Sequence, residues 1–144
     1  MNTTRLTGVP APGPDGRMTV KPPPQSRSEA MLWFRILLPG GALGPGKIAL
    51  LRAIAAKGSV SAAARTLRMS HARSVKLVAE INALAPAPIV DTRAGGLSGG
   101  GASLTPLGLA VLDAHADIER SVTRAAVQPL ATLAKLLGAP GAGA

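Results

Sequence analysis

The side chains able to do chemistry gather in one short stretch, Ser70-His71-Ala72-Arg73-Ser74-Val75-Lys76, where two hydroxyls, an imidazole and two cations fall within two helical turns. Such groups donate and accept hydrogen bonds and carry positive charge, which suits phosphates and base edges better than bond making. Covalent chemistry has little support. The two histidines, His71 and His115, lie far apart on separate predicted helices, and no HExxH or paired-carboxylate pattern occurs. With no cysteine there is no thiolate nucleophile, zinc site or disulfide. The expectation is a protein that is not an enzyme and needs no cofactor or metal. The glycine run Gly95-Gly96-Leu97-Ser98-Gly99-Gly100-Gly101 is no P-loop, because neither Lys-Ser/Thr nor an immediate helix follows it, and GxGxxG does not occur in it.

These residues need elements to hold them. Phe34, Ile36 and Leu38 alternate with Trp33, Arg35 and Leu37, which predicts a short strand over 33–38 stopped by Pro39-Gly40-Gly41. Ile48, Leu51 and Ile54, with Pro45 before them and Gly58 after, predict a helix over about 45–57. Ser59 or Ser61 caps a helix of barely two turns over 62–68, whose three alanines let a neighbour approach closely. Ser70 caps a third helix from His71 to about Ala85, with Val75, Leu77, Val78, Ile81 and Leu84 inward and Pro86 and Pro88 ending it. Ile89 to Arg93 and Ala102 to Leu104 read as two strands of a hairpin joined by the glycine run. Thr105-Pro106 starts a last helix with an apolar seam at Leu107, Val111, Ala114, Ile118, Val122 and Ala125, a spacing near the coiled-coil period. Pro129 is expected to break or kink it.

The order predicts a mainly α fold with a small β-hairpin: a winged helix-turn-helix over 32–105, followed by a dimerisation helix over 106–137. Six prolines among the first 30 residues predict a disordered arm over 1–31, and 138–144 reads as a disordered tail. The chain of 144 residues is one domain by length. No secretory signal pattern is present, and the apolar run Ala30 to Leu38 is too short to span a bilayer and is interrupted by Arg35. The cytoplasm, with no membrane partner, is the default expectation.

Sixteen Lys and Arg against seven Asp and Glu give a net charge of +9, which points to a polyanion. From Gly44 to Arg93 eight cations, among them Lys47, Lys57, Arg65, Arg68 and Arg93, face only Glu80 and Asp91. Helix-turn-helix geometry puts the start of the third helix in the major groove of double-stranded DNA. Ser70, His71, Arg73, Ser74 and Lys76 then reach bases or phosphates, Arg73 suits guanine, and Arg65, Arg68 and Arg93 suit phosphates. Gly99, Gly100 and Gly101 form a wing tip whose backbone N–H groups approach phosphates. Blander readings compete: His71 as a capping or solvated residue, Arg65, Arg68 and Lys76 as solvated charges, the glycines as a floppy tip. One Trp, one Phe and no Tyr argue against a single-strand binder.

The run LGPGKIALLRAIAAKGSVSAAARTLRMSHARSVKLVAEIN (Leu43 to Asn82), followed by VDTRAGGLSGGGASLTPLGLAVL (Val90 to Leu112), resembles the N-terminal DNA-binding domain of ModE-type molybdate-responsive regulators, itself similar to that of LysR-type regulators. The resemblance covers about 33–127. It implies that the third helix and wing touch DNA, that the last helix dimerises, and that targets are molybdenum-related genes. In the family the residues after Met-Ser are more basic and aromatic; here they are His71-Ala72-Arg73-Ser74-Val75, so no operator carries over. Larger members append a molybdate-binding region, and too little chain follows Leu137 to build one. The expectation is therefore a sequence-specific DNA-binding regulator lacking a molybdate-binding domain and acting as a homodimer. Two alternatives stand beside it: an interaction protein that heterodimerises with a full-length regulator, and a nonspecific nucleoid binder.

Overall fold

Pro45 in the first turn and Gly58 just past the last one delimit the central helix, α1 (Pro45–Lys57), at the predicted boundaries. Gly58 takes φ 73°, the left-handed region where a Cβ is disfavoured, and its N–H donates to the Ile54 carbonyl at 2.8 Å. Ile48 and Leu50 are two residues apart, about 200° around the helix, and both are buried. So α1 is covered on two sides and organises the core.

The computed structural model describes residues 30–93 and 101–138. Nearly all of the predicted arm and tail, and Gly99 and Gly100 of the predicted wing tip, lie outside the described residues. The element order is β1 (Ile36–Leu38), β2 (Gly41–Leu43), α1, α2 (Val60–Thr66), α3 (His71–Asn82), β3 (Val90–Thr92), β4 (Ala102–Leu104) and α4 (Pro106–Leu136). Among the described residues this is a mixed fold of four helices with two small antiparallel hairpins. The chain divides into two compact units, Arg35–Ala114 and a second from Met1–Phe34 with His115–Ala144. In the second unit the Phe34 ring stacks on buried His115, centroids 5.8 Å apart.

Arg35–Ala114 holds the core: Leu43, the apolar face of α1, Ala63, Leu77, Val78, Ile81, Ile89, Val90 and Ala102. Ser59 caps α2 by accepting from the Ala62 N–H at 3.0 Å, and Ala63 and Ala64 are buried because their lack of bulk lets α1 come close. Ser70 caps α3 by accepting from the Arg73 N–H at 3.2 Å. In the joint between them, Arg68 adopts φ 55°, unusual for a residue with a side chain.

Several boundaries differ from the sequence reading. Pro39-Gly40 does not end the sheet but turns it, and the first strand pairs with a second that the sequence does not announce: Ile36 opposes Leu43 and Leu38 opposes Gly41. Trp33 and Phe34 precede that strand. Helix α3 ends at Asn82, about three residues early, because the Asn82 side chain turns to the start of β3. The last helix passes through Pro129 without a break. Pro129 is exposed, so the Ala125 carbonyl it leaves without its helical N–H is open to water. The seam also differs: Val111, with Leu112, packs on the core of its own unit, whereas Leu107, Ala114, Ile118 and Ala125 are exposed and Val122 is half-buried.

The hairpin β3–β4 pairs Val90 with Leu104 and Thr92 with Ala102. Two bonds fix its loop end: the Arg93 N–H donates to the Gly101 carbonyl at 2.8 Å, and the Ala102 N–H to the Gly58 carbonyl at 2.9 Å. The Thr105 hydroxyl donates to the Pro88 carbonyl at 2.7 Å and accepts from the Gly108 N–H at 3.1 Å, closing the loop before β3 and capping α4 together. No helix among the described residues is long and apolar enough to cross a membrane.

Candidate functional site

On α3, positions 71, 75 and 82 are spaced i, i+4, i+11, a spacing that returns to one stripe of the helix. His71, Val75 and Asn82 occupy that stripe, with Val78 and Ala79 beside it, and form one wall of a cleft of about 560 Å³. Val60 and Ser61 of α2 close one end, and Thr92, Arg93 and Gly101 of the hairpin form the opposite wall. The His71 Nδ1 lies 3.2 Å from the Ser61 hydroxyl, a hydrogen bond whose direction depends on the imidazole tautomer.

The chemistry of the lining is one-sided. Two hydroxyls, an imidazole, a carboxamide and a guanidinium line it, together with valines, and no carboxylate does. Such a surface donates hydrogen bonds and carries positive charge without a competing negative group, so it favours an anion. Among the described residues no group of three or more His, Cys, Asp or Glu is arranged to hold a metal cation.

Of the predicted site residues, the structure brings His71, Arg93 and Gly101 together in this cleft. Arg65, Arg68, Arg73 and Lys76 are not among its lining residues, and Ser70 uses its hydroxyl as the α3 cap. Ser74 was expected to face outward and is fully buried. It shares a face with Leu77, Val78 and Ile81 at i+3, i+4 and i+7, and its hydroxyl donates to the His71 carbonyl at 2.6 Å. Val75 makes the opposite exchange: expected in the core, it is about half exposed at the cleft. Lys47, counted among the cations of 44–93, is buried, donating to the Ala42 carbonyl at 2.7 Å and lying 3.5 Å from Glu80.

Ser61, Asn82 and Thr92 were not singled out for a site. The spacing of Asn82 from His71 was the one available signal, since it places both on the same stripe. Nothing local marks Ser61 or Thr92, which reach the cleft only through tertiary packing.

No family model matches the chain. It is similar to the molybdenum-pterin-binding protein MopB of Rhodobacter capsulatus, 41% identical over 85 residues, or 59% of this chain and 32% of that protein. It is also similar to the molybdenum transport protein ModE of Azotobacter vinelandii, 36% identical over 80 residues, 56% of this chain and 30% of that protein. The molybdenum-pterin-binding protein MopA of R. capsulatus is 34% identical over 83 residues, 58% of this chain and 31% of that protein. The chain spans about a third of the length of the relatives it matches.

These similarities are to molybdenum proteins and correct the DNA-binding part of the sequence reading. All three relatives are named for binding or transporting molybdenum, and none for binding DNA. The assignment to an N-terminal DNA-binding domain, the DNA-binding regulator without molybdate binding, and double-stranded DNA as its partner are withdrawn on that finding. With them go the DNA-binding homodimer and the nucleoid binder as functions.

Proposed function

We propose that this chain binds a molybdenum-bearing anion in the cleft between α2, α3 and the β3–β4 hairpin. The carrying observation is that His71, Ser61, Thr92 and Arg93 line one carboxylate-free cleft, in a chain similar to proteins named for molybdenum binding and transport. Molybdate is a tetrahedral dianion, so its recognition calls for hydrogen-bond donors around the oxygens and a cation nearby. The Arg93 guanidinium supplies fixed charge with several N–H donors. The Ser61 and Thr92 hydroxyls and the His71 ring supply directed hydrogen bonds. No covalent step is involved, and the role is binding, not catalysis.

The proposal includes the scaffold: α1–α3 with the β3–β4 hairpin form a winged helical unit, with α3 and the wing as the two walls. It also includes residence in the cytoplasm, consistent with a cysteine-free chain that needs no oxidising compartment. Calorimetric titration with molybdate, and in a separate arm with a molybdenum-pterin, tests the reading. Binding is expected in at least one arm, weakened about 10-fold or more in Arg93→Ala and in His71→Ala, as loss of a charge-assisted hydrogen bond requires. Affinity unchanged in both variants would sink it. So would indifference to both anions, including a cleft that takes up duplex DNA instead.

A further inference from the structure

Asn82 is the last residue of α3, and its carboxamide reaches into the start of β3. Its Oδ1 accepts from the Ile89 N–H and from the Val90 N–H, both at 2.9 Å, and its Nδ2 donates to the Val90 carbonyl at 3.1 Å. Two N–H donors converge on one atom, which identifies that atom as the oxygen and fixes the orientation of the amide. The side chain thus acts as a one-residue strand partner for β3, using three of its hydrogen-bonding positions on consecutive backbone groups.

We propose that Asn82 is a positioning residue that sets the separation of the two walls of the cleft, with His71 and Val75 on one and Thr92 and Arg93 on the other. Thr92 and Arg93 follow Val90 by only two and three residues. A strand rises about 3.3 Å per residue, so a shift at Val90 is carried directly to them. The remaining attachments lie elsewhere: Ser61 with His71 joins the helices at the far end, and Gly58 with Ala102 holds β4. Thr105 holds Pro88 and Ile89 from the start of α4. None of these bonds runs from α3 to β3, so Asn82 adds a directed polar link to the apolar packing of Ile89 and Val90 against Leu77, Val78 and Ile81. Without the carboxamide the wall bearing Arg93 loses its directed polar link to α3 and is held there by apolar packing and by β4. The clamp stands on geometry alone, while its effect on ligand choice rests on the anion reading above.

Amide hydrogen exchange on the full chain tests the clamp without any ligand. In Asn82→Ala the Ile89 and Val90 amides are expected to exchange at least tenfold faster, while those of Leu51 and Ile54 in α1 keep their protection. Asn82→Asp retains an oxygen to accept from both N–H groups but sets its second, anionic oxygen against the Val90 carbonyl, so it is expected to restore part of the protection at Ile89 and Val90. Uniform acceleration through α1 as well would reduce Asn82 to a general stabiliser and overturn the proposal. Exchange in Asn82→Asp as fast as in Asn82→Ala would overturn the role of the accepting oxygen. The second readout is the ratio of molybdate to sulfate affinity, expected to fall at least threefold in Asn82→Ala because a loosened cleft discriminates less by size. An unchanged ratio with exposed Ile89 and Val90 amides would show that the clamp does not set the cleft. If the unsubstituted chain binds neither oxyanion, the anion reading fails, and the exchange data alone decide whether Asn82 holds the hairpin.

Discussion

Lys47 is a cation that folding has largely taken out of water, and its surroundings show why it is tolerated. The ammonium donates to the Ala42 carbonyl at 2.7 Å, next to the Leu43 end of β2, and faces Glu80 of α3 at 3.5 Å. The side chain as a whole is only 10% exposed, so its four-carbon stem is largely out of water. Lys47→Ala removes a charge-assisted hydrogen bond and the packing of the stem together, and is expected to cost about 1–3 kcal/mol, read from the denaturant midpoint at unchanged m-value. Glu80→Gln is expected to cost less than about 1 kcal/mol, because the Glu80 side chain is 44% exposed and solvent screens the pair. Equal losses in the two variants would mean that the ion pair, and not the carbonyl contact, holds Lys47. Charge counting says nothing about where Lys47 faces; the β1–β2 hairpin, with its Ala42 carbonyl, accounts for its burial.

At the scale of elements, the start of α4 depends on the absence of a side chain at Gly108. A Cβ there would run into the Ile89 carbonyl oxygen and lie 3.2 Å from the Leu104 Cβ. Both neighbours belong to the hairpin region and one is backbone, so neither can yield cheaply. Gly108→Ala is therefore expected to destabilise by about 1–3 kcal/mol, the range for overpacking, and to lower the thermal midpoint; an unchanged midpoint would show that α4 slides freely on the hairpin. The helices were largely legible in the sequence because their signals are local: Pro45 and Gly58 around α1, Ser70 before α3, Thr105-Pro106 before α4. The β1–β2 hairpin was only half legible, since three-residue strands carry too few side chains to show a period. The end of α3 was misjudged because a side chain, Asn82, takes over from the helix there. Pro129 shows the converse: a local rule about proline gave way because the freed carbonyl is at the surface.

For the whole molecule, ligand binding and stability are linked by mass action. An anion held by the cleft at a hundredfold excess over its Kd is expected to stabilise the fold by about 2.7 kcal/mol. The gain is expected in the amides of Arg35–Ala114, which contains the cleft, and to shrink when ionic strength rises from about 0.1 to 1 M as the Debye length contracts from about 10 to 3 Å. Molybdate that leaves these amides unprotected at low salt would contradict the anion site. The cleft itself was half legible. His71 and Arg93 stand out as chemical residues in the sequence, but their meeting depends on a hairpin anchored to distant backbone, and no spacing rule reports that. The bond from Ala102 to the Gly58 carbonyl also bears on the order of folding. Helices α1 to α3 form from contacts between near neighbours, whereas this bond closes the loop containing both α2 and α3 and incurs a larger chain-closure entropy. A newly made chain should acquire its helices first and its binding cleft last, so capture of ligand reports on the completion of folding itself.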